Sequence, residues 1–458
     1  MFDESRGDPG PRPTMDPTLL LLAGLAAGLT FTAVLLSGRQ AVFWIALGVT
    51  LIPVEFVDRY YFELPGSVKW VPEMGVVAAA IAAFVLAPHE RTPLPTGVLW
   101  AWLGTLLVSI ASFLVNDTPP ASFVISQRGW ILFFATLVTF KPVRAGWSKD
   151  RVLAILVAVT MVSAGVNVLQ RLTIGPGEGD RVTGLYSLGE VMTFFHLFGL
   201  GIIAVFSLEG RRLWRVPTLA LVGWMILSLA VSNQEAAIPY LGLVLAWLLW
   251  RSRRNRAAIL GTAVVLGAAM LGMFTFFWDA DYQAEGKRSF SESITDPAYL
   301  ARYVFGAPGV ELTPGGDLLR GVAVKYSWRE IAEEPLTLAL GKGPGATSDS
   351  SFAGASGALA KSYPGIGRVT LAMLLGDTGV LGVVAYLAFL AALWRGSAGL
   401  REEEERRHTL VRELFVLLTL AFLLYGKLQY EPAYAWTAAL MLYRPSDRWF
   451  EPSASSAT

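Results

Sequence analysis

Residues 185–207 read LYSLGEVMTFFHLFGLGIIAVFS, and apart from the Tyr186 phenol only Glu190 and His196 in this stretch can ionise. A hydrocarbon layer about 30 Å thick is crossed by about 20 apolar residues in a helix. The stretch contains no proline to break such a helix. A helix that is apolar on every face belongs in lipid or deep inside a protein, not on a water-exposed surface. Similar stretches recur outward from it, at 17–37, 40–57, 70–87, 97–115, 122–140, 151–170, 214–232, 236–250, 257–278, 367–394, 409–427 and 431–445. The expected fold is therefore all-α, a polytopic transmembrane helix bundle of about 12–13 spans. It divides into N-terminal transmembrane helices (1–278), a large extracytoplasmic loop containing short helices (279–366), C-terminal transmembrane helices (367–445) and a polar tail (446–458).

Composition supports this reading and removes others. The 458 residues are 54% hydrophobic and 16% charged, against about 25% charged in ordinary soluble domains. Mean hydropathy is +0.50. A water-soluble α/β enzyme, a disordered chain, a collagen and a coiled coil are all excluded. The net charge of +1 argues against a nucleic-acid partner, which requires a basic field. With no Cys and three His, neither a disulfide framework nor a thiolate or His-rich metal centre is expected, and no cofactor is implied.

Lys and Arg set the orientation, because cytoplasmic connections are enriched in them. The connections 141–151, 208–215, 251–256 and 395–412 are Arg-rich and alternate along the chain. They read as cytoplasmic, and 116–121, 171–184, 233–235 and 279–366 then face outward. The last of these has 11 acidic and 8 basic residues and far exceeds the usual helix connection of about 2–8 residues. Within it, 327–340 (SWREIAEEPLTLAL) predicts a short amphipathic helix running into a proline stop, and 296–303 a second helix.

Ionisable residues in spans are costly and mark functional positions. Glu190 and His196, six residues apart, fall on different helix faces. His196 reads as a satisfied core histidine, and Glu190 as either an interfacial residue or a site carboxylate. Gln234 and Glu235 open the next outward-facing helix, as N-terminal caps or as site residues. Outward-facing Arg should be scarce, yet Arg181, Arg302, Arg320, Arg329 and Arg368 lie there, with Lys325 and Lys361. A guanidinium fork grips phosphate oxygens, although lipid-headgroup contact or loop ion pairs also account for a single Arg. GKGPGA (341–346) reads as a turn with a loose likeness to a phosphate loop. In GDTGVLG (376–382), Asp377 is either a packing device or a site carboxylate.

These features, in this order, resemble the O-antigen polymerase and O-antigen ligase superfamily of bacterial inner-membrane glycosyltransferases. The resemblance covers Arg181 to Leu390. It rests on RVTGLYSLGEVMTFFHLFGLG from Arg181, on SWREIAEEPLTLALGKGPGA with Trp328 and Pro335, and on RVTLAMLLGDTGVLG from Arg368, with Asp377, Gly379 and Gly382 in step. The chain departs from the family in three places, one of them the absence of the Asn-rich segment that follows the first Arg. SNQEAA (232–237) has Gln234 and Glu235 where the family has an Arg, and Arg368 stands where the family has a His that its ligases use. The likeness is therefore to a polymerase more than to a ligase.

The resemblance implies a GT-C-like, metal-independent glycosyltransferase of polysaccharide or lipopolysaccharide biosynthesis. It would take an undecaprenyl-diphosphate-type, polyprenyl-linked glycan donor and a glycan acceptor at the outer face of the inner membrane. Membrane lipids and a chain-length regulator protein would be its other partners. Arg181 and Arg368, at motif positions, and Arg320, on loop chemistry alone, would contact the diphosphate, Glu190, Glu235 or Asp377 would act as base or sugar ligand, and the loop would close as a lid. Other readings are ligase-type transfer to a different acceptor, a peptidoglycan-type polymerase, a scaffold protein, and a lipid-linked-oligosaccharide transporter or flippase. A transporter predicts discontinuous helices and midplane charges.

Overall fold

The computed structural model describes residues 41–50, 70–86, 95–140, 149–174, 182–186, 188–208, 218–232, 234, 236–251, 256–283, 296, 318–348, 357–395, 403–428 and 431–442. Among them there is no strand. The helices are α1 (Ala41–Thr50), α2 (Val71–Leu86), α3 (Thr96–Val115), α4 (Pro120–Thr139), α5 (Lys149–Ile174), α6 (Gly189–Leu208), α7 (Thr218–Val231), α8 (Ala237–Arg251) and α9 (Arg256–Gln283). The loop contributes α10 (Arg320–Ile331), α11 (Pro335–Leu340) and α12 (Ala358–Ser362), and a 3-10 turn at Ile366–Arg368 leads into α13 (Thr370–Arg395). The chain ends in α14 (Glu403–Phe422) and α15 (Pro432–Leu442). Five of these, α3, α4, α5, α6 and α13, are long and apolar enough to cross a membrane, and α2, α7 and α8 are shorter apolar helices. The protein is an all-α, membrane-embedded, multi-pass helix bundle.

The stretch 185–207 became α6, the most buried of the five helices long enough to cross a membrane. Phe194 meets Phe415 and Tyr434 edge-on, each 5.7 Å away, so one ring joins α6 to α14 and α15. At the periphery the pattern reverses. Trp100 and Leu107 on α3 are 67% and 64% exposed, as expected of side chains turned toward lipid. Most predicted spans match helices within a few residues. The stretch 17–37 lies outside the described residues, as does all of 296–303 except Asp296. The boundary at 278 falls inside α9, which continues to Gln283. The span placed at 409–427 is a helix only to Phe422, where the chain turns.

Within the loop, the single helix expected over 327–340 is two helices. α10 begins earlier, at Arg320, and ends at Ile331. Pro335 opens α11 and does not close α10, because proline needs no N–H at the first helical position.

At the end of the bundle away from the loop, several basic residues form ion pairs. Arg251 pairs with Glu413. Asp150 takes His408 at 2.7 Å and Arg407 at 3.3 Å. These contacts tie α8 and α5 to α14, so part of the charge used to orient the chain also fastens it.

α13 is interrupted. Gly379 has φ 66° and ψ −162°, a region open essentially to glycine. The loop lies directly against this break, and a Cβ on Gly379 would sit 2.5 Å from the Ala339 carbonyl oxygen. Gly379→Ala should therefore destabilise the protein by at least about 2 kcal/mol, read as a lowered unfolding midpoint in detergent. Gly48→Ala, with open space around it, should leave the midpoint unchanged or slightly raised.

Candidate functional site

The two Gly-rich motifs, far apart in sequence, form one structure. The carboxylate of Asp377, on α13, accepts Gly345 N–H on Oδ2 at 2.9 Å. Its Oδ1 accepts Thr347 N–H at 2.9 Å and the Thr347 hydroxyl at 2.8 Å. Gly341, Gly343 and Gly345 all have positive φ, and the turn they form aims the alternate N–H groups of Gly345 and Thr347 at one carboxylate. The likeness of GKGPGA to a phosphate loop thus has a physical basis, but the anion it holds is the chain's own Asp377. The break at Gly379 also interrupts the helical hydrogen-bond ladder. The Gly376 carbonyl accepts Lys342 N–H at 2.8 Å, and the Asp377 carbonyl accepts the Ser112 hydroxyl at 2.9 Å. Of the two readings of Asp377, this geometry is that of a packing device that seats the loop.

A second cluster lies at the loop end of the bundle. Arg320 opens α10, and its Nη2 stands 3.7 Å from Oε1 of Glu190, on the first turn of α6. Its Nε donates to the Tyr425 carbonyl at 2.9 Å, and its guanidinium lies 4.0 Å from the Tyr425 ring centroid. Both charged side chains remain partly exposed, 31% for Arg320 and 19% for Glu190. The Tyr425 hydroxyl donates to Oε1 of Gln234 at 3.3 Å, and so does the Thr193 hydroxyl, also at 3.3 Å. Gln234 is therefore not a helix cap, since α8 starts only at Ala237. Its side chain instead links α6 to the 423–428 turn.

Arg368 joins the same rim through the backbone. Thr370 bonds the Gly426 carbonyl through its hydroxyl at 2.6 Å and its N–H at 3.2 Å. This places the exposed Arg368, two residues earlier, beside the turn that holds Arg320. Of the expected site residues, the structure brings Arg320 and Glu190 into contact, sets Arg368 on their rim and assigns Asp377 to the loop clasp. Arg181 and Glu235 lie outside the described residues.

The segment after Arg181 is firmly seated. Oε1 of Gln170 accepts the N–H groups of Thr183 (3.2 Å) and Gly184 (2.9 Å), and Ser163 Oγ accepts Leu185 N–H at 3.1 Å. Gly184 has φ +63° and packs on the α5 side chains Ser163 and Asn167, which is why a glycine follows Arg181 so closely. The Tyr186 ring stacks on Phe195 at 5.0 Å. His196 is fully buried and satisfied, with Nδ1 2.8 Å from the Met192 carbonyl and Nε2 3.0 Å from Ser228 Oγ.

Sequence reasoning missed the YGK turn, 425–427. Lys427 is also a cation at the loop end, so the rule that singled out the Arg residues applied to it. The same reasoning missed Glu73 and Arg128, an ion pair between α2 and α4, although both lie inside expected spans.

Asp377→Asn would replace a carboxylate oxygen with an NH2 group facing a backbone donor, at a cost of about 1–3 kcal/mol. Faster amide exchange at Gly345 and Thr347, with little change at α6, is the expected readout. Models of known protein families and curated proteins were both searched, and neither search returned a match for the chain.

Proposed function

We propose that the protein is a polysaccharide polymerase of the bacterial inner membrane. It would transfer a glycan from a polyprenyl-diphosphate donor to an acceptor glycan at the outer face. The observation that carries this reading is the Arg320–Glu190 pair, held at the loop end of the bundle and open enough to meet a substrate. A lipid-linked diphosphate keeps its chain in the bilayer and its phosphates at the surface, where this reading puts the pair. In the transfer, the acceptor hydroxyl attacks the anomeric carbon of the donor sugar. The bond from that carbon to the diphosphate oxygen breaks, and the polyprenyl diphosphate leaves with the electron pair. Arg320, with Arg368 and Arg181, stabilises the departing charge. Glu190 accepts the acceptor proton. The loop, fastened at Asp377, covers the reacting groups.

An Arg at 368, where the resembling ligases use a His, favours polymerase-type over ligase-type transfer. Among the described residues, the Glu73–Arg128 pair inside two expected spans and the broken α13 suit a transporter. The carbonyls at its break are met by Lys342 and Ser112, and Asp377 by the loop, which leaves this break filled by protein.

Arg320→Ala should shorten or abolish polymer in cells while the protein stays in the membrane, as should Arg181→Ala and Arg368→Ala. Arg320→Lys should also be poor, because a point charge does not replace a bidentate fork. Glu190→Gln should lower turnover more than donor binding. Normal polymer length from all three Ala variants would sink the assignment.

A further inference from the structure

The loop carries a second cluster of side chains that the transfer step does not use. On α10, Tyr326 stacks on Tyr363, which follows α12, with centroids 4.7 Å apart and planes 22° from parallel. The Arg329 guanidinium lies 4.5 Å from the Tyr326 centroid, and its Nη2 donates to the Tyr363 hydroxyl at 2.7 Å. That hydroxyl donates in turn to Oε1 of Glu330 at 2.7 Å. The hydrogen bond to Glu330 raises the Tyr363 phenol above its usual range. The frame is fixed from below. Leu318 N–H bonds the Pro364 carbonyl at 3.0 Å, and Val322, Ala323, Leu359 and Ile366 form a small apolar core beneath the rings. Arg329 is nonetheless 58% exposed.

Charge decides what this surface suits. Glu330 opposes an anion and Arg329 opposes a cation, so neither kind of ion is favoured. Aromatic rings beside a planar donor and a planar acceptor fit a neutral ring that carries many hydroxyls. Arg320 and Arg329 are nine residues apart on α10, about 13 Å along the helix and half a turn around it, so a glycan that joins the two passes around the helix. We infer that Tyr326, Arg329, Glu330 and Tyr363 form a glycan-binding subsite that holds the growing chain while its end reaches the Arg320 rim. The inference rests on the proposed transfer reaction for the origin of the glycan, but not for the binding itself.

The test uses the full-length protein in phosphatidylcholine nanodiscs and saturation-transfer NMR with maltotetraose, cellotetraose and chitotetraose. At least one should receive saturation. Tyr326→Ala should weaken its binding about tenfold, and Tyr363→Phe, which keeps the ring and removes the hydroxyl, about fivefold. Arg320→Ala should leave this binding within about twofold, because a weak saccharide contact at the far end of α10 does not depend on that side chain. Binding of none of the three sugars, or equal binding by wild type and both Tyr variants, would overturn the inference. Exposed Lys325 and Lys361 nearby give an anionic headgroup its own route to the cluster. Displacement of the sugar when the nanodisc lipid is phosphatidylglycerol would therefore also overturn it. Sugar binding by a protein whose Arg variants still make normal polymer would remove the polymerase reading and leave the subsite standing.

Discussion

A helix surrounded by apolar material cannot leave backbone carbonyls unpaired, because each unmet group costs several kcal/mol there. α13 breaks this rule at Gly379, and the arrangement of the loop follows from how the break is repaired. Lys342 and Ser112 supply donors to the exposed carbonyls. Asp377, whose carboxylate would be equally costly alone, is met by the donors of the Gly-rich turn. One irregularity in a transmembrane helix thus fixes the position of a loop whose likeness to a binding motif is strongest in sequence.

That fixed point also supports the rim. α10 and α11 both pack on α13, so the loop helix that begins with Arg320 is aligned by the same seat. From there Arg320 reaches two parts of the bundle, Glu190 on α6 and Tyr425 in the turn after α14. Thr370 grips the neighbouring Gly426 from α13 itself. The cation is held by three elements that meet only in the folded bundle, which is the condition for electrostatic preorganisation.

The helical architecture was legible because apolar periodicity and length are written locally. α3, α4, α6 and α13 could each be read without reference to anything distant. The clasp was not legible, because Gly345 and Asp377 are separated by a stretch that carries no hint of their meeting. Glu190 and Arg320 were each singled out by chemistry, but the pairing of residue 190 with residue 320 needed the fold. Pro335 was misread because a proline both ends and begins helices, and only backbone geometry separates the two roles. Tyr425 and Gly426 each contribute a carbonyl group, which every residue type possesses, and the Tyr425 ring and hydroxyl do not differ in sequence from those of any other tyrosine near a span end.

The order in which these partners appear along the chain has a consequence for biogenesis. Ser112, Lys342, Gly345 and Thr347 all precede Asp377 and Gly379 in sequence. During synthesis, every group seen to repair the break has left the ribosome before the break itself emerges. The donors that complete the irregular span are therefore available when that span enters the bilayer.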